Sequence, residues 1–480
     1  MKHLIICREY PPAPGGGIGS YVWHISHLLA EFGETVHVIS QQWAGAEKSV
    51  EETCSGRLIV HRVPFENWKV FIRPKLSPRI TSEIEKRLFY SQYYPQCFSW
   101  TASLYAEKLI QEEGIDVVEA QEFEAPSYYL QLRREKGYGP KKLPPIILHL
   151  HSPTEFIRRH NDWSEAVPYQ TASRFERYVI GSADSLLCPS DYLAEQVAKY
   201  FQVRRAGIHV IPYPHASQSV IKRSMDIWQN GRICYVGRLE KRKGVIEWIE
   251  AAVKVAEELP SIQFDFIGQN ILGSDSLCGE EVIYKLIPAS LRQRFHFHGE
   301  QPRNSLPSYL SNARIGVVPS RWENFPNTCI EAMSSGMPVL VSPNGGMKEM
   351  VQDGVNGWVA PVMDIENLAM TLRRALGTDP SGLERMGKEA SLAIRRICDP
   401  ERIVHDHMAF RREIVQQGAT RVQRPLRGRT RTGADYYNGN YDGNESGIPS
   451  KEKFSRSLYN QKITFRRLFS KIRMIGKNYL

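Results

Sequence analysis

The chain holds 480 residues, 42% hydrophobic and 24% charged, a globular balance that excludes wholesale disorder, collagen and a disulfide-stapled miniprotein, and that leaves room for about three domains, or two large ones with an appendage. Lysine and arginine exceed aspartate and glutamate by 10, but the excess is local. Residues 421–480 carry 14 basic and 4 acidic side chains, which leaves 48 of each in residues 1–420: a neutral body with a basic tail.

The N-terminus, Met1-Lys2-His3-Leu4-Ile5-Ile6-Cys7-Arg8, has too short an apolar run for a signal peptide or a membrane span, so a cytoplasmic location is expected. The eight cysteines stand singly with no CxxC spacing, which reads as reduced core thiols rather than disulfides or zinc ligands. Short β-branched runs at 4–7, 35–40, 58–63, 116–120, 146–150, 185–188 and 208–212 read as strands. Most are flanked by amphipathic stretches such as 20–32, with Val22, Ile25, Leu28 and Leu29 at helical spacing before Gly33. Such alternation predicts a parallel sheet covered by helices on both faces over residues 1–215. Residues 216–230 lack either periodicity and read as a connection. The alternation restarts at 233–236 and continues through 263–267, 295–297, 315–318, 339–341 and 358–360, predicting a second doubly wound unit over 231–400. A last helix is expected at 401–417, crossing back to the first domain.

Three loops carry chemistry. Pro11-Pro12-Ala13-Pro14-Gly15-Gly16-Gly17-Ile18-Gly19-Ser20 joins the first strand to the first helix, where glycines let backbone N–H groups approach a ligand and a helix start favours anions. The dinucleotide fingerprint GxGxxG fails there, because Ser20 stands where its third glycine belongs; an NAD oxidoreductase is therefore disfavoured. In the second unit Gly237-Arg238-Leu239-Glu240-Lys241-Arg242-Lys243-Gly244 follows a strand directly. A guanidinium and an ammonium five positions apart can clamp a diphosphate, although a solvated basic loop would look the same. In the third segment, running from Pro319 to Val339, Glu323 lies in a loop after a strand, Asn327 reads as a helix N-cap, Glu331 is placed in the first helical turn and Gly336 ends the helix.

Together these motifs resemble those of the retaining GT-B glycosyltransferases of family 4. The resemblance covers roughly residues 1–415. It rests on the Gly-Gly loop, Leu148-His149-Leu150-His151-Ser152, Ala183-Asp184 before Cys188-Pro189-Ser190, Gly237-Arg238 with Lys243-Gly244, the Glu323-x7-Glu331 element, and Gly345-Gly346 with Glu349. It implies an α/β fold of two Rossmann-like domains facing across a cleft. By position, Arg238 and Lys243 would hold the diphosphate of a nucleotide-sugar donor, and Glu331 would accept from its ribose. Glu323 would contact the transferred sugar beside backbone amides of Phe325, Pro326 and Asn327. His151 would face the donor sugar, with Gly16 and Gly17 near the phosphates and acceptor. Strand alternation puts His149 on the same face as His151, so the pattern alone does not separate them. One departure is Ile211-Pro212-Tyr213-Pro214-His215, where many members carry an Asn-Gly turn.

The implied activity moves a sugar to a saccharide or lipid-linked acceptor in polysaccharide or glycoconjugate synthesis, with the leaving phosphate taking the acceptor proton. No cofactor or metal is expected, since cations already face the leaving group and the chain has no Asp-x-Asp. The competing readings are a nucleotide-sugar epimerase on the same scaffold and a non-catalytic nucleotide-sugar-binding scaffold.

Beyond the body, residues 418–450 hold six glycines and five arginines with few large aliphatics and read as a disordered linker. The basic tail spans 451–480. Within 461–480, Phe465, Leu468, Phe469, Ile472 and Ile475 fall at i, i+3, i+4, i+7 and i+10 among basic residues. That pattern suits a helix lying on an anionic membrane surface, peripheral to the inner face, or one docking onto the body or a protein partner. No nucleic-acid partner is expected, because no nucleic-acid module accompanies the charge.

Overall fold

The computed structural model describes residues 1–13, 16–43, 45–46, 48–64, 95–163, 167–215, 219–273 and 279–418. The expectations for the linker at 418–450 beyond its first residue, and for the tail at 451–480, lie outside them.

In the first lobe β1 (Lys2–Ile6), β2 (Thr35–Gln41), β3 (Val50–Thr53), β4 (Leu58–Val63), β5 (Val117–Gln121), β6 (Ile146–His149), β7 (Ser185–Cys188) and β8 (Ile208–Val210) form one sheet. Its order is β3-β4-β2-β1-β5-β6-β7-β8, with every pair parallel except β3–β4. Central strands buried on both faces read as continuous apolar runs, as Leu4, Ile5 and Ile6 do at 0% exposure. The sequence reading misses β3 because Val-Glu-Glu-Thr is a polar edge strand with no buried residue.

The second lobe repeats the design. β9 (Arg232–Val236), β10 (Phe264–Ile267), β11 (Phe295–Phe297), β12 (Ala313–Val318), β13 (Val339–Val341) and β14 (Gly357–Val359) form a parallel sheet in the order β11-β10-β9-β12-β13-β14. The fold is thus two doubly wound α/β sheets. Residues 216–230, expected as a plain connection, instead include the helix Met225–Asn230, which Ser224 caps and whose Trp228 is buried. Six residues are too few to show a helical period. Arg223 ties this segment to the second lobe through the carbonyls of Ala313 (2.8 Å), Leu310 (2.9 Å) and Ser335 (3.0 Å).

The helix Pro400–Gln417 leaves the second lobe and packs on the first sheet, with Ile403, Phe410 and Ile414 against Val117, Ile147, Leu187 and Ile211. Among the described residues no helix is long and apolar enough to cross a membrane, and the cysteines are free thiols.

Each sheet reverses its winding direction once, between β1 and β5 and between β9 and β12. Ligands of open parallel sheets bind beyond the carboxyl ends of the strands at such a reversal. The glycine loop follows β1, Gln121 ends β5, Arg238 follows β9 and Glu323 follows β12, so sheet topology alone puts the suspected motifs at the two crevices.

Candidate active site

On the first lobe the chain leaves β6 and turns at His151. The Glu122 carboxylate fixes this turn by accepting from the backbone N–H of His151 (2.7 Å) and Ser152 (2.5 Å). Burial raises the pKa of Glu122 to about 7 even though these donors favour its charge. The His151 ring is 3% exposed. Its Nδ1 lies 2.6 Å from the Tyr213 hydroxyl, and its Nε2 meets Gln121 Oε1. Burial holds its pKa well below the usual histidine range, so the ring is neutral with both nitrogens occupied. His149 stacks on it at 4.4 Å, on the same face. A shallow pocket adjoins Gln121 at the β1/β5 crevice, lined among others by Arg8, Glu9, Phe98 and Glu124.

On the second lobe the β9 loop carries a cluster of charge. Gly244 adopts φ +67°, and a Cβ there would overlap the Pro319 carbonyl, so glycine lets the loop close against the end of β12. That approach brings Lys243 onto Glu323 in an ion pair, joined by Arg242 at 3.1 Å. Burial opposes the charge of Glu323, but Lys243 and Arg242 outweigh it and hold its pKa down at about 2. Arg242 also binds Glu240 at 2.7 Å. Arg238, by contrast, is 56% exposed and reaches Glu240 only at 3.4 Å. It is close enough to Glu9 of the first lobe to oppose the rise that burial and Glu124 impose on that carboxyl.

The helix Asn327–Ser334 begins without a side-chain cap, and the N–H groups of Cys329 and Ile330 turn to Pro326 O at 3.0 and 3.2 Å. Glu331 pairs with Arg303 at 2.5 Å. Hydrogen bonds join the two walls. Ser190 Oγ donates to Asn324 Oδ1 (2.7 Å), and Asn324 Nδ2 donates to His151 O (2.8 Å). Glu349 accepts from the N–H groups of Asp191 (3.1 Å) and Tyr192 (2.7 Å) at the start of the helix Asp191–Phe201, where a negative charge is favoured.

The model of Glycosyltransferase Family 4 matches residues 15–214, and that of Glycosyl transferases group 1 matches residues 228–392. The glycogen synthase of Mycobacterium tuberculosis is 24% identical over 418 residues, covering 81% of this chain and 89% of the relative. Among solved structures, sucrose-phosphate synthase from Thermosynechococcus elongatus superposes with a TM-score of 0.64 at 19% identity, covering 87% of this chain and 99% of its own. Anabaena HepE in complex with UDP-glucose gives 0.58 at 15% identity, with 87% and 99% covered. The chain belongs to the GT-B glycosyltransferases of family 4.

In this glycosyltransferase Arg238, Lys243 and Glu323 gather on one wall, with Phe325, Pro326, Asn327 and Glu331 following on the same loop and helix. His151 lies opposite, joined to that wall through Asn324. Gly16 precedes the first helix and Gly17 opens it, and a Cβ on Gly16 would stand 2.9 Å from Glu9 Oε2. Two local expectations need correction. Asn327 is the first helical residue and Pro326 occupies the cap, because its extended backbone (φ −74°, ψ 122°) precedes the first turn. Glu331, fifth in the helix, therefore lies beyond the first turn.

Sequence reasoning missed Arg242, Tyr213, Gln121, Asn324 and Arg303. Arg242 was legible only as one of three basic residues in a row. Tyr213 stood in the pentapeptide that departs from the family pattern, and that departure was its signal.

Proposed function

We propose that this glycosyltransferase takes its sugar from a nucleoside-diphosphate donor and transfers it, with retention of anomeric configuration, to a saccharide hydroxyl. The observation that carries the reading is the paired charge at the ends of β9 and β12, where Arg238 is open and Lys243 is held beside Glu323. Breaking a sugar–phosphate bond leaves negative charge on the diphosphate, and preorganised cations there are the largest available catalytic effect. An ammonium has three donors, so Lys243 can keep Glu323 and still reach a phosphate oxygen, while the Arg238 fork takes the other. Glu323 stays ionised and accepts sugar hydroxyls. Its low pKa makes it unsuited to act as an acid.

Glu331 would accept from the ribose, and the backbone N–H groups of Phe325 and Asn327, on either side of Pro326, would meet the donor. The neutral His151 ring shapes the wall behind the sugar and transfers no proton in this arrangement. Gly16 and Gly17 leave space between the donor and the pocket beside Arg8, Glu9 and Gln121, where the acceptor would enter. The departing phosphate would take the acceptor proton, so no metal or other cofactor enters the scheme. Complexes such as that of HepE with UDP-glucose support a nucleotide-sugar donor.

In this reading the acceptor is carried on lipid only if the tail at 461–480 brings the enzyme to an anionic surface in the cytoplasm; salt-sensitive co-sedimentation with anionic vesicles, lost on removing residues 418–480, tests that part. The main test is a thermal-shift screen of nucleoside diphosphates, in which a ligand at 100 times its Kd stabilises by about 2.7 kcal/mol. It is followed by measuring nucleoside diphosphate release with and without saccharide acceptors. Release that needs no acceptor, or no stabilisation by any nucleotide, overturns the reading.

A further inference from the structure

Behind His151 a guanidinium and a carboxylate are buried together. Arg411, on the helix Pro400–Gln417, pairs with Glu119 on β5, and both side chains are 0% exposed. Such a pair adds little stability over apolar residues of the same volume, because two charges must be desolvated to form it. It can, however, fix orientation, and here the bonds leading out of it run to the active site.

A carboxylate only accepts hydrogen bonds. One oxygen of Glu119 is held by Arg411; the other accepts from the Tyr21 hydroxyl at 3.2 Å and from Gln121 Nε2 at 3.4 Å. The Gln121 amide must therefore turn its NH2 toward Glu119 and its oxygen toward His151. That oxygen meets His151 Nε2 and can only accept, so Nε2 carries the ring proton. Nδ1 is left with its lone pair, which takes the Tyr213 hydroxyl at 2.6 Å. His149 Nδ1 comes within 3.4 Å of the same Glu119 oxygen, but neither of its ring nitrogens completes a hydrogen bond among the described residues.

We propose that Arg411 and Glu119 are positioning residues that act through Gln121 to hold His151 as its neutral Nε2–H tautomer, with the ring fixed against the donor-sugar side of the cleft. The helix that carries Arg411 starts in the second lobe and ends on the first, so seating this helix and setting His151 are one event. The proposal rests on the reading of His151 as a wall of the donor-sugar site.

The test uses the full chain. Arg411→Met combined with Glu119→Gln removes both charges and strands neither, while Arg411→Lys keeps the pair. Histidine-selective 15N NMR reports the tautomer of His151, assigned by loss of its signals in His151→Asn. The wild type and Arg411→Lys should show a single Nε2–H tautomer and similar turnover. The double variant should show mixed tautomers and a kcat about tenfold lower, with donor KM within about twofold. If the double variant does not fold, Gln121→Met carries the same expectation with the ion pair intact. A single Nε2–H tautomer with wild-type kcat in these variants overturns the proposal, and so do mixed tautomers with unchanged kcat. Failure of the wild type to transfer sugar from any nucleotide donor would strike the functional reading instead, because the NMR readout needs no activity.

Discussion

The two walls of the cleft handle polarity in opposite ways. On the first lobe, His151, Gln121, Tyr213 and Glu122 are buried, and every ring nitrogen of His151 is satisfied within the protein. On the second lobe, Glu323, Lys243 and Arg242 keep full charges in contact, and Arg238 stands more than half exposed beside them. One wall is finished before a ligand arrives. The other holds charge that a ligand can complete, and the difference assigns shape to the first lobe and electrostatics to the second.

The largest expected effects lie on the charged wall. Lys243→Ala and Arg238→Ala should each lower turnover by about 10²–10³, the usual cost of removing one preorganised donor at a developing negative charge, while circular dichroism shows the fold retained. Near-normal turnover in both would erase the contrast between the walls. Lys243→Ala should also raise donor KM, since Glu323 then keeps only Arg242 at 3.1 Å.

On the buried wall, Glu122 should show itself in the pH dependence of stability. The Glu122 pKa is raised from 4.5 to about 7, so the folded state binds its proton more tightly than the unfolded state. The stabilisation is complete below about pH 4.5 and is lost as pH rises through about 7, a swing on the order of 3 kcal/mol. Glu122→Gln removes this swing. Relative to the wild type, the variant should melt several degrees higher at pH 8 than at pH 5. Glu176, buried nearby and also raised, keeps a residual slope in both proteins. A difference in Tm that does not change with pH would show that Glu122 is charged throughout.

Much of this architecture was legible in sequence, for reasons that also explain what was not. Strands such as β1 and β12 announce themselves because a strand buried on both faces carries an unbroken apolar run, Leu4–Ile6 in one and Ile315–Val318 in the other. β3 and the helix Met225–Asn230 do not, one being a polar edge and the other shorter than two turns. Glu323 and Arg238 sit in loops next to strand ends, where local motifs suffice to mark them. The network behind His151 draws instead on Glu119, Tyr213 and Arg411, and the ion pair alone spans 292 positions. No local pattern encodes that meeting; only the return of the last helix creates it.

A smaller effect is expected where the walls are tied together. Glu349 accepts two backbone N–H groups across the cleft but is exposed, so solvent screens most of its charge. Glu349→Gln should cost well under about 1 kcal/mol of stability and change donor KM by no more than about threefold, read from initial rates at saturating acceptor. A larger change in kcat than in KM would mean that this contact aligns reacting groups rather than merely holding the lobes.

The smallest expected effect is none. A diphosphate leaving group needs about two positive charges near its oxygens, and the charged wall presents Arg238 and Lys243 after the same strand with Arg242 between them in sequence. Arg242 is already committed to Glu240 and Glu323, and Lys243 to Glu323, so Arg238 is the cation with the most freedom to move onto the donor. If those two groups suffice, excess EDTA should leave turnover unchanged, and added magnesium or manganese should not raise it. The charge-deficient Arg238→Ala variant sharpens the test, because a divalent ion that partly restored its turnover would reveal the same electrostatic demand met from outside. Loss of wild-type activity in chelator, restored by metal, would instead show that the paired carboxylate Glu323 has taken more of the positive charge of Lys243 than the leaving group can spare.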